Sequence, residues 1–329
     1  MPDNLAAGTW QPATAGLLNL ALALAIGVWL LRSPHAVRRG LTARVLPAFA
    51  AGLAMLAWVA YVLASTEAMT GGDWESTSAM FGDVWLVLTQ SHFGRMQWVA
   101  GLGAALLCAG AWAWYDARRR LRAVLPIADD PRDRHHQREH RQERFARAVY
   151  LAGAVLLALA RAGTGHAADA SMPWLAIGVH TLHVGAAASW TGALLVAGCV
   201  IPSWRHWPVG ARAAYGERLS SVATLAMFVA LVTGAFNAWR TLGETPSLWF
   251  AAQNAPYLTW LVTKLVLVAC AALLGAWNRW RFLPRLALDT GETPLDTTAF
   301  ARVVAIEALV LVMVMSLAAK LGTTMPPGV

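Results

Sequence analysis

Residues Thr164–Gly192 read TGHAADASMPWLAIGVHTLHVGAAASWTG. Pro173 opens an apolar run that continues to Ile201, and proline at the first turn of a helix forgoes only an N–H that has no intrahelical partner. Inside the run lie His180 and His183. Positions i and i+3 of a helix share a face, about 4.5 Å apart along the axis, so both imidazoles point the same way from within a hydrophobic segment. Ionisable side chains inside a membrane span are expensive and mark function by default. His166 stands in the polar link just ahead of the run, placed to fold over the pair. Three imidazoles converging near one membrane face make a candidate metal site.

The rest of the chain has the same character. Its 329 residues are 57% hydrophobic and 13% charged, with a mean hydropathy of +0.49, whereas a soluble domain carries about 25% charged residues. The apolar residues fall in runs of bilayer-spanning length, about 20 residues each. They predict an all-α, polytopic integral membrane bundle of about eight spans in one domain, residues 1–329. The spans fall near residues 13–31, 46–64, 95–115, 148–162, 173–201, 217–239, 257–280 and 300–321. Residues Phe81 to Thr89, in the acidic stretch after the second span, read as a short helix lying in the interface with Trp85 at headgroup level.

The formal charge of +8 and pI near 10.1 do not indicate nucleic acid. The arginines cluster in alternate loops, with ten in a basic loop expected over residues 116–147. Only Arg95, Arg161, Arg240, Lys264 and Lys320 fall elsewhere. Placing the arginine-rich loops in the cytoplasm puts both termini on the periplasmic side of a cell inner membrane, along with the histidine pair. No basic region precedes the first apolar run and no small-residue cleavage site follows it, so no cleavable leader is expected. Cys108, Cys199 and Cys270 are widely spaced in apolar runs and read as packing residues.

Imidazole suits copper, zinc, iron and nickel. The same half offers thioethers at Met69, Met80, Met96, Met172 and Met325, and no carboxylate accompanies the paired histidines. That mixture leans toward copper. His166, His180 and His183 are the candidate ligands; His92, at a span end, and Met172 are possible assistants. Lys264 lies about 10 Å into its span and Glu307 enters from the opposite side. Charged residues inside a bundle commonly pair with one another or with a backbone carbonyl, so a stabilising role for Lys264 and Glu307 is the ordinary reading. Glu307 on the lower half of an ion path is the alternative. His135, His136 and His140 sit among arginines and read as a solvated face.

Neither lysine, Lys264 or Lys320, can belong to a phosphate loop or to an Asp-Lys-Thr-Gly motif, so an ATP-driven pump is excluded and no enzymatic activity is expected. Moving one positive charge inward gains about 2.3 kcal/mol per 100 mV of membrane potential, which makes import the default direction.

The chain resembles the copper-resistance protein D (CopD) family. The resemblance rests on Gly165-His166-Ala167, His180-Thr-Leu-His183 with Ser189-Trp190-Thr-Gly192, and Gly234-Ala-Phe-Asn237. It continues through Tyr257-Leu with Lys264-Leu265, Asn278-Arg279 and Glu307, with an earlier Thr89 and Gly94-Arg95. It implies an eight-span inner-membrane protein that takes up periplasmic copper, often beside a small copper-binding β-sandwich of CopC type. With about a dozen residues ahead of the first span, that partner is expected as a separate chain. The resemblance supports His166, His180 and His183 as candidates. Two other readings remain open: a haem-b membrane oxidoreductase, which would need a ligand beyond the His180/His183 pair, and copper storage or sensing without transport.

Overall fold

The computed structural model describes residues 10–31, 41–72, 74–124, 134–165, 172–242, 255–287 and 297–324. Among them every regular element is helical. In chain order the α-helices are α1 (Trp10–Leu30), α2 (Leu41–Thr70), α3 (Thr77–Gln90), α4 (His92–Val124), α5 (Arg134–Gly163) and α6 (Pro173–Val200). A 3-10 turn (Ile201–His206) leads to α7 (Val209–Leu242), α8 (Ala255–Arg281), the short α9 (Leu283–Ala287) and α10 (Thr297–Leu321). All but α3 and α9 are long and apolar enough to cross a bilayer, which makes eight membrane-length helices among the described residues.

Two helices form the centre. A helix that is apolar on all sides has to be enclosed by others, and α1 meets this condition, with α2, α5, α6 and α10 around it. α6 packs on α1, α5, α7 and α10. The two central helices touch backbone to backbone: a Cβ on Gly27 would collide with the Gly192 carbonyl, and one on Gly192 with the Ala23 carbonyl. Small residues permit this approach. α2, α4 and α5 lie to one side, and α7, α8 and α10 to the other, where α7 and α8 meet each other only slightly. Both present long apolar side chains outward, among them Leu225, Phe228 and Val232 on α7 and Val262, Leu265 and Leu273 on α8. In a bilayer that surface faces lipid.

The arginine-rich end is tied by a buried polar network. Glu143 on α5 accepts hydrogen bonds from Trp114 Nε1 (3.1 Å) and Arg118 Nε (3.3 Å) of α4. Arg147 lies over the rings of Trp29 and Trp114, and its carbonyl accepts from Trp29 Nε1. Arg218 donates to the Leu30 carbonyl at the end of α1 (2.8 Å), where carbonyls lack helical partners. At the opposite end Arg161 donates to Asn19 Oδ1 (3.1 Å) and stacks on Tyr61.

The short helix expected over Phe81–Thr89 is longer than that. As α3 it begins at Thr77, capped by the Ser76 side chain, and Trp74 Nε1 donates to Asp83 (2.9 Å). The loop expected over 116–147 is helical through Val124 and again from Arg134. Its arginines, glutamates and glutamines are good helix formers, and the Asp116–Arg120 ion pair at i, i+4 supports the extension of α4.

Candidate functional site

Both histidines of α6 turn toward α7. His183 Nδ1 lies 3.0 Å from the Ala230 carbonyl and 3.2 Å from Thr233 Oγ1. A carbonyl only accepts, so Nδ1 carries the proton and Nε2 keeps its lone pair. His180 Nδ1 lies 3.2 Å from the side-chain amide of Asn237. The Asn237 Oδ1 is buried without a hydrogen-bond partner. Turning that amide over satisfies the oxygen with the Nδ1–H of His180 and leaves the His180 Nε2 free as well. The rings stand 6.1 Å apart, centre to centre, and 20° from parallel.

This arrangement follows from matching periods on antiparallel helices. His183 faces Gly234 and His180 faces Asn237, so an i, i+3 pair on α6 meets an i, i+3 pair on α7. Gly234 makes the fit possible, because a Cβ there would stand 2.9 Å from His183 Cε1. Three cationic side chains, Lys264, Arg161 and Arg240, lie close enough for their charges to act on His180. Arg240 keeps its Nε and Nη1 buried without a partner.

Further along the same face of α6, about 10 Å from His183 at 1.5 Å per residue, Trp190 donates to Glu307 Oε1 of α10 (3.2 Å). Asn278 of α8 donates to the other oxygen at 3.4 Å. Glu307 also lines a cavity of about 150 Å³ among α6, α7, α8 and α10, with Trp190, Met227, Thr224, Asn278 and Arg279.

Of the partners open to Lys264 and Glu307, each other is ruled out. Glu307 meets α8 at Asn278, fourteen residues past Lys264, and that is about 21 Å along the helix. The register between α8 and α10 separates them: Lys264 belongs with the histidines and Glu307 with the lower cavity. His92 is at the first turn of α4, exposed, with Nε2 2.8 Å from the Gly163 carbonyl. α4 packs on α2, α3 and α5 rather than on α6, so His92 stands a helix away from the pair. Met172 is exposed just ahead of α6. His166 and Met325 lie outside the described residues. Among the described residues no three His, Cys, Asp or Glu side chains converge into a metal cluster.

Sequence reasoning gave no role to Thr233 or Met227, and quoted Asn237 and Asn278 without assigning them partners. The signal was the shared spacing: His-x-x-His on one apolar run and Gly-x-x-Asn on the next, read antiparallel, predict the pairing seen.

Residues 213–321 match the family model of copper resistance protein D. The match runs from the start of α7 to the end of α10. It holds Thr233, Asn237, Lys264, Asn278 and Glu307, while the paired histidines precede it. No curated protein and no solved structure matches the chain.

Proposed function

We propose that this chain, a member of the copper resistance protein D (CopD) family by its residues 213–321, carries copper across the inner membrane by way of the His180/His183 pair. Its eight membrane-length helices make it a multi-pass membrane protein, and the family ties it to copper resistance. The observation that carries the finer reading is the grip of α7 on both imidazoles through Nδ1. Metal-binding histidines characteristically engage their second ring nitrogen in this way, which fixes tautomer and orientation. Copper is the cargo here. It is received on the periplasmic side, with His166, His92 and Met172 as entry residues and a separate CopC-type protein as donor.

The surrounding charges favour passage over storage. Lys264, Arg161 and Arg240 lie near His180, and two imidazoles supply no negative charge to offset a metal cation. Such a site holds its ion without the charge neutralisation that would lock it in place. Release toward the arginine-rich end, taken as cytoplasmic by the positive-inside rule, follows the membrane potential and needs no ATP.

The test is metal content by mass spectrometry of detergent-purified protein exposed to copper, with a visible spectrum alongside. Wild type is expected to hold copper that His180→Ala/His183→Ala loses, with no Soret band. Copper undiminished in the double variant would remove the histidine pair from the pathway. A Soret band would revive the haem reading. Copper flux into liposomes then separates transport from storage.

A further inference from the structure

The lower cavity has the makings of a second ion site, distinct from the histidine pair. Glu307 is 2% exposed. Its carboxylate accepts two hydrogen bonds from neutral donors, Trp190 Nε1 and Asn278 Nδ2. A carboxylate has about four acceptor positions, and among the described residues no cation lies within ion-pair distance of this one. Asn278 is 7% exposed, and its Oδ1 is buried with no hydrogen-bond partner while the side chain lines the cavity. A buried acceptor without a donor calls for an explanation such as an ion or a water. Met227 brings a thioether to the same space. The one positive group on the lining, Arg279, is exposed and engaged with α7, donating to Ser220 Oγ (2.8 Å) and Thr224 Oγ1 (3.4 Å).

We infer that the Glu307 carboxylate, the Asn278 carbonyl oxygen and the Met227 thioether form a binding site for a soft monovalent cation, Cu(I) in the cell. The donor set decides the class. One carboxylate neutralises one positive charge, so a divalent ion would leave an uncompensated charge in a low-dielectric interior. A thioether beside oxygen donors favours a soft ion over sodium or potassium. The pocket, about 150 Å³ and half open past Arg279 and Trp280, holds such an ion with several waters at about 30 Å³ each. Trp190 and the histidines share one face of α6, so the site is the next station along the helix that carries the pair. The identity of the ion rests on the copper reading above; the existence of the site rests on the cavity alone.

The experiment uses Ag(I), a redox-inert stand-in for Cu(I), supplied as the nitrate in chloride-free buffer to the full chain in detergent. Cys108, Cys199 and Cys270 are free and thiols bind silver, so all forms carry serine at these three positions. Four forms are compared by metal count after desalting: the histidines and Glu307 intact, His180→Ala/His183→Ala, Glu307→Gln, and all three changes together. The expected counts are about two silver ions per chain, about one, about one and about none. Glutamine keeps the shape and an acceptor for Trp190, and Met227→Leu serves as a second, milder variant, expected to weaken the remaining site about tenfold in the histidine-free background. Silver unchanged by both Glu307→Gln and Met227→Leu overturns the lower site and leaves the histidine reading standing. Loss of one ion in Glu307→Gln with none lost in His180→Ala/His183→Ala does the reverse.

Discussion

Gly234→Ala tests whether the grip of α7 on His183 matters to the metal. The new Cβ would stand 2.9 Å from His183 Cε1 and 3.3 Å from Nδ1, whereas carbon atoms rest at about 3.5–4.0 Å. The ring therefore moves off α7 by about 0.6 Å. Its Nδ1 starts 3.0 Å from the Ala230 carbonyl and 3.2 Å from Thr233 Oγ1. A retreat of that size takes both contacts past the limit of hydrogen bonding. Losing one such bond costs about 1 kcal/mol, which converts to about fivefold in affinity. Stability should hardly change, because alanine in place of glycine within a helix returns about 1 kcal/mol. The assay is competition for Cu(I) against a chromophoric chelator, paired with thermal unfolding followed by circular dichroism. Weaker copper binding at an unchanged Tm is the expected result. Unchanged affinity in a folded variant would refute the argument that α7 sets the ligand geometry.

Asn237→Leu removes the partner of His180 Nδ1 and leaves the ring itself intact; copper affinity should fall about 10- to 100-fold, read in the same competition titration. Gly192→Val thrusts a branched side chain into the backbone contact with Ala23 and Gly27; overpacking of this kind costs about 1–3 kcal/mol or more, and a lowered Tm in detergent checks it. Glu143→Ala removes the carboxylate that accepts from Trp114 Nε1 and Arg118 Nε at the arginine-rich end. A loss of about 2 kcal/mol is expected there, seen in thermal unfolding, with copper binding untouched because the network lies at the other end of the bundle.

The membrane helices were legible because each apolar run announces its own length, and the shared face of His180 and His183 follows from helical period alone. What those histidines touch was not legible at that level. Asn237, Thr233 and the space left by Gly234 reach them across a helix–helix register, which no single run specifies. The same limit left the partners of Lys264 and Glu307 open. Depth along each helix was estimated separately, and only the packing of α10 on α8 reveals that Glu307 meets Asn278 instead. The charged stretch after Asp116 misled for another reason: solvated arginine-rich sequence reads as loop by composition, yet its residues favour helix.

The backbone contact between α1 and α6 lies on the side of α6 away from the histidines. With Gly192 seated against Ala23 and Gly27, α6 has no room to back away from α7 and open the space beside the histidines. Any widening has to come from α7 and α8, whose outward surfaces carry Phe228, Val232, Leu265 and Leu273 and press on acyl chains. On the proposed transport function, passage would then be work done partly against the bilayer, and thickness and lateral pressure of the lipid would join the side chains in setting its rate.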